Sequence, residues 1–361
     1  MPAVRGVLGV IHDCSHWHIP CFSPAVPSLK PPRNCTFTPG DWSILAAYWY
    51  PVALSAAVQD KPVAARLLDQ ELVLYRTSAG VTAAADICVH RGAPLSMGKL
   101  KGDRIACAYH GYCYDQAGQC TEIPAHPGGL IPAKLHLQVF QAKELYGLVW
   151  VCLADSPAGE VPAFPEVGDA GYQIVHVPPL DWAASAGRQV ESFCDVAHFA
   201  FVHENTFAVR DPAVPRYEVQ ATPYGVHADF TSNVGNVTDP DAATQTWRRV
   251  YDLHLPFLAR LVIDFPGAGQ QALLNAASPV SARRTRVFSI VARNFDRDKS
   301  VDELIAFQHR IYGEDQAIVE RQNPEDLPID LGEEVHVRAD LTSVTYRRQL
   351  GALGLGRGFT A

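Results

Sequence analysis

The chain has no apolar run longer than the ten residues from Leu145 to Ala154, about half of what a membrane-spanning helix needs. That run reads as one buried strand. Positive charge is also short: 30 Lys and Arg stand against 38 Asp and Glu, a net charge of −8, which disfavours nucleic acid as a partner. The nine cysteines follow no framework spacing, so a disulfide-stapled secreted fold is not expected. A reducing, cytoplasmic setting is expected instead. There is no internal repeat. Gly354-x-Gly356-x-Gly358 lies at the extreme C-terminus with no strand or helix around it, so the chain has no dinucleotide loop and cannot draw hydride electrons alone.

What is present suits two domains: 361 residues, 48% of them hydrophobic. Residues 1–41 look foreign to the rest. They are Pro-rich from Pro20 to Pro39, hold His12, His16, His18, Cys14, Cys21 and Cys35, and lack a long apolar segment of the secretory type. They read as a disordered or misassigned extension. From Trp42 to residue 156, short β-rich stretches (Val63–Leu68, Glu71–Arg76, Thr82–Asp86) alternate with turn signals at 77–80 and 115–118. This predicts a small antiparallel β domain. Residues 157–171 begin with three prolines and a glycine and read as a linker. Residues 172–361 mix a helical stretch (Ala184–Val202), four strand-like stretches (Val226–Ser232, Trp247–Leu255, Gln271–Ala276, Thr285–Arg293) and a last helix from Val301 to Gln322, stopped by Asn323-Pro324. The expected class is α+β, an all-β domain followed by an α+β domain whose sheet wraps a helix.

Two ligand pairs, Cys88-x-His90 and Cys107-x-x-His110, stand sixteen residues apart, each followed by a glycine (Gly92, Gly111) where a tight turn is needed. Two thiolates and two imidazoles suit a [2Fe-2S] cluster with Cys on one iron and His on the other. A structural zinc uses the same donor set and is the competing reading. Between the pairs, Lys99, Lys101 and Arg104 offer a docking patch for an acidic electron donor, or a solvated charge run.

A second set begins at Asp195-x-x-His198-x4-His203. Asp195 and His198 are helix neighbours by spacing, but five residues turn His203 about 140° from His198 on an ideal helix. A break or π-bulge is therefore expected before His203. Two His and one carboxylate form the facial triad of non-haem iron oxygenases. On the last helix, Leu304, Gln308, Ile311, Asp315, Ile318 and Val319 share a stripe, with Glu314 about 100° away. Asp315 is either the third ligand, its burial matched by a metal, or a surface acid.

These motifs resemble those of Rieske non-haem iron oxygenases, from about Trp42 to the C-terminus. The family usually has Pro at Ala108 and Trp at Tyr112. Ala93 and Tyr109 stand where respiratory Rieske proteins place an extra disulfide, so the likeness is to the oxygenase type. By that resemblance Cys88, His90, Cys107 and His110 hold the cluster, while His198, His203 and Asp315 hold a mononuclear Fe(II). Asp195 would bridge His198 to the His110 of a neighbouring subunit in a homotrimer. Electrons would come from a separate NAD(P)H-dependent flavin and iron–sulfur reductase or a ferredoxin. The chain length, Asn323-Pro-Glu-Asp-Leu-Pro328 and Tyr346-Arg-Arg-Gln-Leu350 resemble the α-only group of vanillate and methylxanthine demethylases and toluenesulfonate methyl-monooxygenase. Monooxygenation, as hydroxylation or O-/N-demethylation of a small aromatic or heterocycle, is expected; ring cis-dihydroxylation is the alternative. Asn275, in an otherwise apolar strand, is the substrate-pocket candidate. Arg248, Arg249, Arg283, Arg284 and Arg286 are candidates to read an acid, though adjacent strand arginines face opposite ways.

Overall fold

A computed structural model describes residues 30–204, 206, 211–234 and 245–356. His12, Cys14, His16, His18 and Cys21 lie outside the described residues. Structured residues precede position 42. Helix α1 is Pro39–Leu45, capped by the Thr38 hydroxyl, and Phe37 is already in the core. Thr36 donates to Asp69, and buried Asp41 accepts from the Gly356 amide, so both ends of the described chain are tied down.

The first region holds two antiparallel sheets. In one, β1 (Tyr50–Leu54), β2 (Val63–Leu67), β3 (Gln70–Thr77) and β4 (Gly80–Ala85) join β9 (Val139–Leu145) and β10 (Leu148–Cys152) in the order β1-β10-β9-β4-β3-β2. The other carries the ligand loops on four short strands, β5 (Lys99–Leu100), β6 (Ile105–Ala106), β7 (Cys113–Tyr114) and β8 (Cys120–Glu122). The run from Leu145 to Ala154 is not one strand. Tyr146 and Gly147 both take positive φ (57° and 74°) and turn the chain between β9 and β10. A hydrophobic count cannot see this turn, because its tip is an aromatic residue.

The second region is one seven-stranded antiparallel sheet: β11 (Gln173–Trp182), β17 (Arg284–Arg293), β16 (Gly269–Ser281), β15 (Leu258–Phe265), β14 (Gln245–His254), β13 (Gly225–Val234) and β12 (Glu218–Thr222), in that order. It curves around α2 (Ala186–Cys194) and α4 (Val301–Val319), with α5 (Leu341–Ala352) on β12 and β13. This is the expected α+β class. Ser300 caps α4, acids fill its first turn, and Leu304, Gln308, Tyr312, Asp315 and Val319 make its buried face. Ile318, placed on that stripe by spacing, is 55% exposed. Further corrections are the strands β11, β12 and β15, and the long helix expected from Ala184 to Val202. That helix stops at Asp195, whose ψ of 138° ends α2, and resumes as the single turn α3 (Phe199–Val202).

The two regions share one hydrophobic core. Strand β1 lies on β16, and the Leu68 and Asp69 amides donate to Pro279 and Val280. A buried ionic network orients α2. Arg347 on α5 forks onto both Glu191 oxygens (2.6 and 2.8 Å), and Glu334 accepts from Arg347 and Arg188. Burial works against the Glu334 carboxylate, but these donors hold its pKa below the ordinary 4.5. A depressed carboxylate stabilises the fold above its unfolded pKa, and the gain disappears as pH falls through the folded value. Arg347→Met should leave Glu191 buried without its fork and cost roughly 3–5 kcal/mol. A fall in thermal midpoint of several degrees checks this; an unchanged midpoint would show the network to be neutral.

Candidate active site

The two ligand loops share one backbone frame. The Cys88 amide donates to Ala93 and the Gly92 amide to Cys88; likewise Cys107 donates to Tyr112 and Gly111 to Cys107. Each loop therefore closes over five residues, C-x-H-x-G and C-x-x-H-G. Gly92 and Gly111 close them at φ of 75° and 71°, a conformation costly for other residues. The shared frame places the imidazoles one residue apart in phase. The Cys88 and Cys107 sulfurs are buried, while His110 is exposed and the His90 and His110 rings lie 4.7 Å apart.

Thiols thus point inward and imidazoles outward, the polarity a Cys₂His₂ [2Fe-2S] cluster requires. Two observations test that fit. The buried His90 Nδ1 has no hydrogen-bond partner, as a metal-binding nitrogen should not. One group of His, Cys, Asp or Glu among the described residues has ligand atoms all within 4.8 Å of one another, and it is not this quartet. A single tetrahedral zinc would draw its ligand atoms to within about 4 Å of one another. Burial and neighbouring Cys88 push the Cys107 thiol up, while the Tyr109 and His110 amides favour its thiolate. Tyr112 stacks on His90 at 4.3 Å, and the Tyr114 hydroxyl lies 3.3 Å from the Cys88 sulfur. Burial pushes Tyr114 far above the ordinary phenol value, so it remains a donor.

The close group is His198, His203 and Asp315. His198 stands at the start of α3 and His203 just past its end, where the backbone leaves helical geometry, and both rings come to one side despite their spacing. Each imidazole turns Nε2 to Asp315 Oδ1, at 3.4 and 3.1 Å, and gives Nδ1 to another carboxylate. Asp195 lies 3.2 Å from His198 Nδ1, and Glu314 lies 2.7 Å from His203 Nδ1. Carboxylates behind ligand imidazoles fix tautomer and direction. Burial alone would lower the His203 pKa, yet Asp315 and Glu314 hold it above the ordinary 6.5. The site calls for a cation, and a 2-His-1-carboxylate set fits iron.

Glu314 escaped the sequence reading because it was set aside as facing 100° from Asp315. That rotation is what lets it reach the far side of His203, where Thr206 also holds it at 2.7 Å. The adjacent acids Glu314-Asp315 were the available signal. Asn275 does not line the cavity. It is fully buried and exchanges hydrogen bonds with the Gln189 amide (2.9 and 3.1 Å) while accepting from Tyr312 (3.2 Å). The basic patch is partly neutralised, since Lys101 and Arg104 both pair with Glu122. The triad opens onto a cavity of about 550 Å³ walled by Phe193, Phe199, Trp247, Leu261, Phe265, Leu273 and Phe307, with Gln271, Gln308 and Arg249 among its polar groups. That size holds one small aromatic or bicyclic molecule.

Comparison with known proteins agrees with this architecture. Residues 48–141 match the Rieske [2Fe-2S] domain, and residues 182–355 match the vanillate O-demethylase oxygenase C-terminal domain. Methylxanthine N1-demethylase NdmA of Pseudomonas putida is 32% identical over 86% of this chain and 89% of its own. The oxygenase component of dicamba O-demethylase from Stenotrophomonas maltophilia is 36% identical over 43% of this chain and 46% of its own. The structure of Pseudomonas putida CBB5 NdmA with caffeine superposes with a TM-score of 0.79 at 31% identity, covering 86% of this chain and 92% of that one. The chain belongs to the Rieske non-haem iron oxygenases with a vanillate O-demethylase-type catalytic domain. It is an oxidoreductase of the demethylase group, and its Rieske domain is of the [2Fe-2S] type.

Tyr114→Phe removes a donor to the Cys88 sulfur. One such bond is worth about 1 kcal/mol, which corresponds to a fall of roughly 40 mV in the cluster potential for one electron; redox titration reads it. Glu314→Ala releases His203 and should weaken mononuclear iron binding about 10- to 100-fold. Acid-labile sulfide should stay unchanged, so the iron-to-sulfide ratio separates this from unfolding.

Proposed function

We propose that Cys88, His90, Cys107 and His110 hold the cluster, that His198, His203 and Asp315 hold the iron, and that the chain O- or N-demethylates a small aromatic or heterocyclic substrate. The observation that carries this reading is the triad at the wall of an apolar cavity, in a chain that also has an exposed cluster loop pair. The names of the relatives, a methylxanthine N1-demethylase and a dicamba O-demethylase, favour demethylation over ring dihydroxylation.

Iron held by His198, His203 and Asp315 would supply O₂ activation, and a cluster held by Cys88, His90, Cys107 and His110 would supply the electrons. Around it, Asp195 and Glu314 fix the two imidazoles, and the apolar walls exclude water and hold a methyl group toward the open side of the triad. Hydroxylation of that methyl takes one oxygen atom of O₂, two electrons and two protons, and the other atom leaves as water. The resulting hemiacetal or hemiaminal splits into formaldehyde and the demethylated O–H or N–H.

The electrons come from a separate reductase or ferredoxin, for which the relative's description as an oxygenase component is the support. The working unit is a homotrimer in which Asp195 links His198 to the partner subunit's cluster. Two exposed apolar groups favour such a contact. Ile87, Val89 and Tyr109 lie in or next to the cluster loops, while Ile318 and Val335 line the groove that holds Asp195.

Metal and sulfide analysis of anaerobically purified protein should give about three irons and two sulfides per chain, with the rhombic, low-average-g EPR signal of a His-ligated cluster after reduction. Zinc without sulfide would remove the reading. With a reductase, ¹⁸O₂ should place one labelled atom in the organic products; two would mean dihydroxylation. Asp195→Asn should keep both metals and lose at least about tenfold in coupled turnover. Normal rates would remove the bridge.

A further inference from the structure

The five arginines left open by the sequence separate in space. Arg248 turns outward onto Asp229, Arg283 onto Asp326 and Glu325, and Arg286 onto Asp181; Arg284 is exposed. Arg249 follows Arg248 on β14 and by strand alternation faces the other way, into the cavity wall, where it is 3% exposed. No carboxylate among the described residues pairs with it. Its Nη1 donates to the Ser232 hydroxyl, and its guanidinium carbon lies 5.2 Å from the Phe199 ring centre and 5.5 Å from that of Trp247. Phe199 in turn meets His198 edge-on at 4.9 Å, so the guanidinium is two ring contacts from the triad.

A buried guanidinium stays charged and carries five donors in a planar fork. Two ring faces and one hydroxyl leave most of that fork without an acceptor and its charge without an anionic partner among the described residues, and burial draws its pKa down. A buried charge of this kind is costly unless something of opposite sign completes it. A carboxylate matches the fork in shape and sign.

We propose that Arg249 anchors a carboxylate on the substrate, so that the compound demethylated is an aromatic acid rather than a neutral heterocycle. This rests on the demethylase reading above and narrows its substrate class. Phe199 and Trp247 then shield the ion pair from water, and the remaining apolar wall receives the ring. The other four arginines take no part, since three are paired at the surface and Arg284 lies outside the cavity.

The experiment is calorimetric titration of the anaerobic holoprotein with 2-, 3- and 4-methoxybenzoate, the three matching methoxybenzamides, and caffeine. At least one acid should bind about 10- to 100-fold more tightly than its amide and than caffeine. Arg249→Gln should abolish that preference, and Arg249→Lys, with charge but no fork, should keep part of it. Arg248→Gln, one residue away and facing solvent, should change nothing. Unchanged iron and sulfide in each variant shows that the fold persists. Amides or caffeine binding as tightly as the acids, a preference that survives Arg249→Gln, or no acid binding at millimolar concentration overturns the proposal. Turnover separates the two layers. Formaldehyde from neutral substrates at rates indifferent to Arg249→Gln removes the anchor and leaves the demethylase. Acids bound through Arg249 without formaldehyde from any methylated compound remove the demethylase and leave the anchor.

Discussion

Asp315 sits 7% exposed on the inner face of α4, 3.1 and 3.4 Å from two imidazole nitrogens, with no lysine or arginine paired to it among the described residues. A carboxylate so placed is costly without a cation. Much of the catalytic region follows from holding that geometry. Helix α2 stops at Asp195, which lets that carboxylate face His198 Nδ1 at 3.2 Å. The single turn α3 must begin at His198 and end by His203. Outer carboxylates must then stop either ring from rotating, and Asp195 and Glu314 are in those positions. The ionic network of Arg188, Glu191, Glu334 and Arg347 fixes the base of α2, so that the break falls where the triad needs it.

The cluster region solves a different problem with the opposite polarity. Its sulfurs are buried among Tyr75, Leu95, Ile105 and Tyr114, where the low dielectric strengthens each amide or hydroxyl donor to a thiolate. Its imidazoles face out, where a protein surface can close over them. Two loops with the same five-residue frame but different His positions give this asymmetry, since shifting the ligand by one residue in an identical turn re-aims the ring without altering the backbone.

How much of this could be read beforehand depended on whether the signal was local. The ligand pairs and their glycines are each contained in five consecutive residues, and the stripe carrying Asp315 is a local periodicity; both could be read from the sequence. Strands β11, β12 and β15 could not. Val175 and Val177 are buried but Pro178 and Pro179 interrupt the pattern, and β12 is mostly exposed, so neither shows clean alternation. The turn at Tyr146-Gly147 was hidden inside an apolar run. Asn275 misled because an amide in an apolar strand looks the same from sequence whether it meets a ligand or another amide. Here Gln189, 86 residues away, satisfies it. Glu314 was missed for the converse reason: its partner His203 is 111 residues distant, and only the fold brings them together.

The cavity that results is charged at two places, the triad and Arg249, with mostly apolar walls between them. One requires a cation, because Asp315 faces it; the other presents a guanidinium that lacks a carboxylate, because Arg249 lines it. Apolar walls keep the dielectric low, so each charge acts strongly on a bound molecule and water screens it little. A flat substrate with one anionic edge then has a single favoured orientation, with that edge on the fork and its far side toward the triad. Orientation by charge tolerates many ring shapes, whereas an apolar slot alone discriminates weakly between similar rings. The buried Gln189–Asn275–Tyr312 chain stiffens the wall behind this arrangement, since Tyr312 lines the cavity and its hydroxyl is spent on Asn275. The position of the methyl group relative to the acid, more than the identity of the ring, is therefore the variable that this cavity selects.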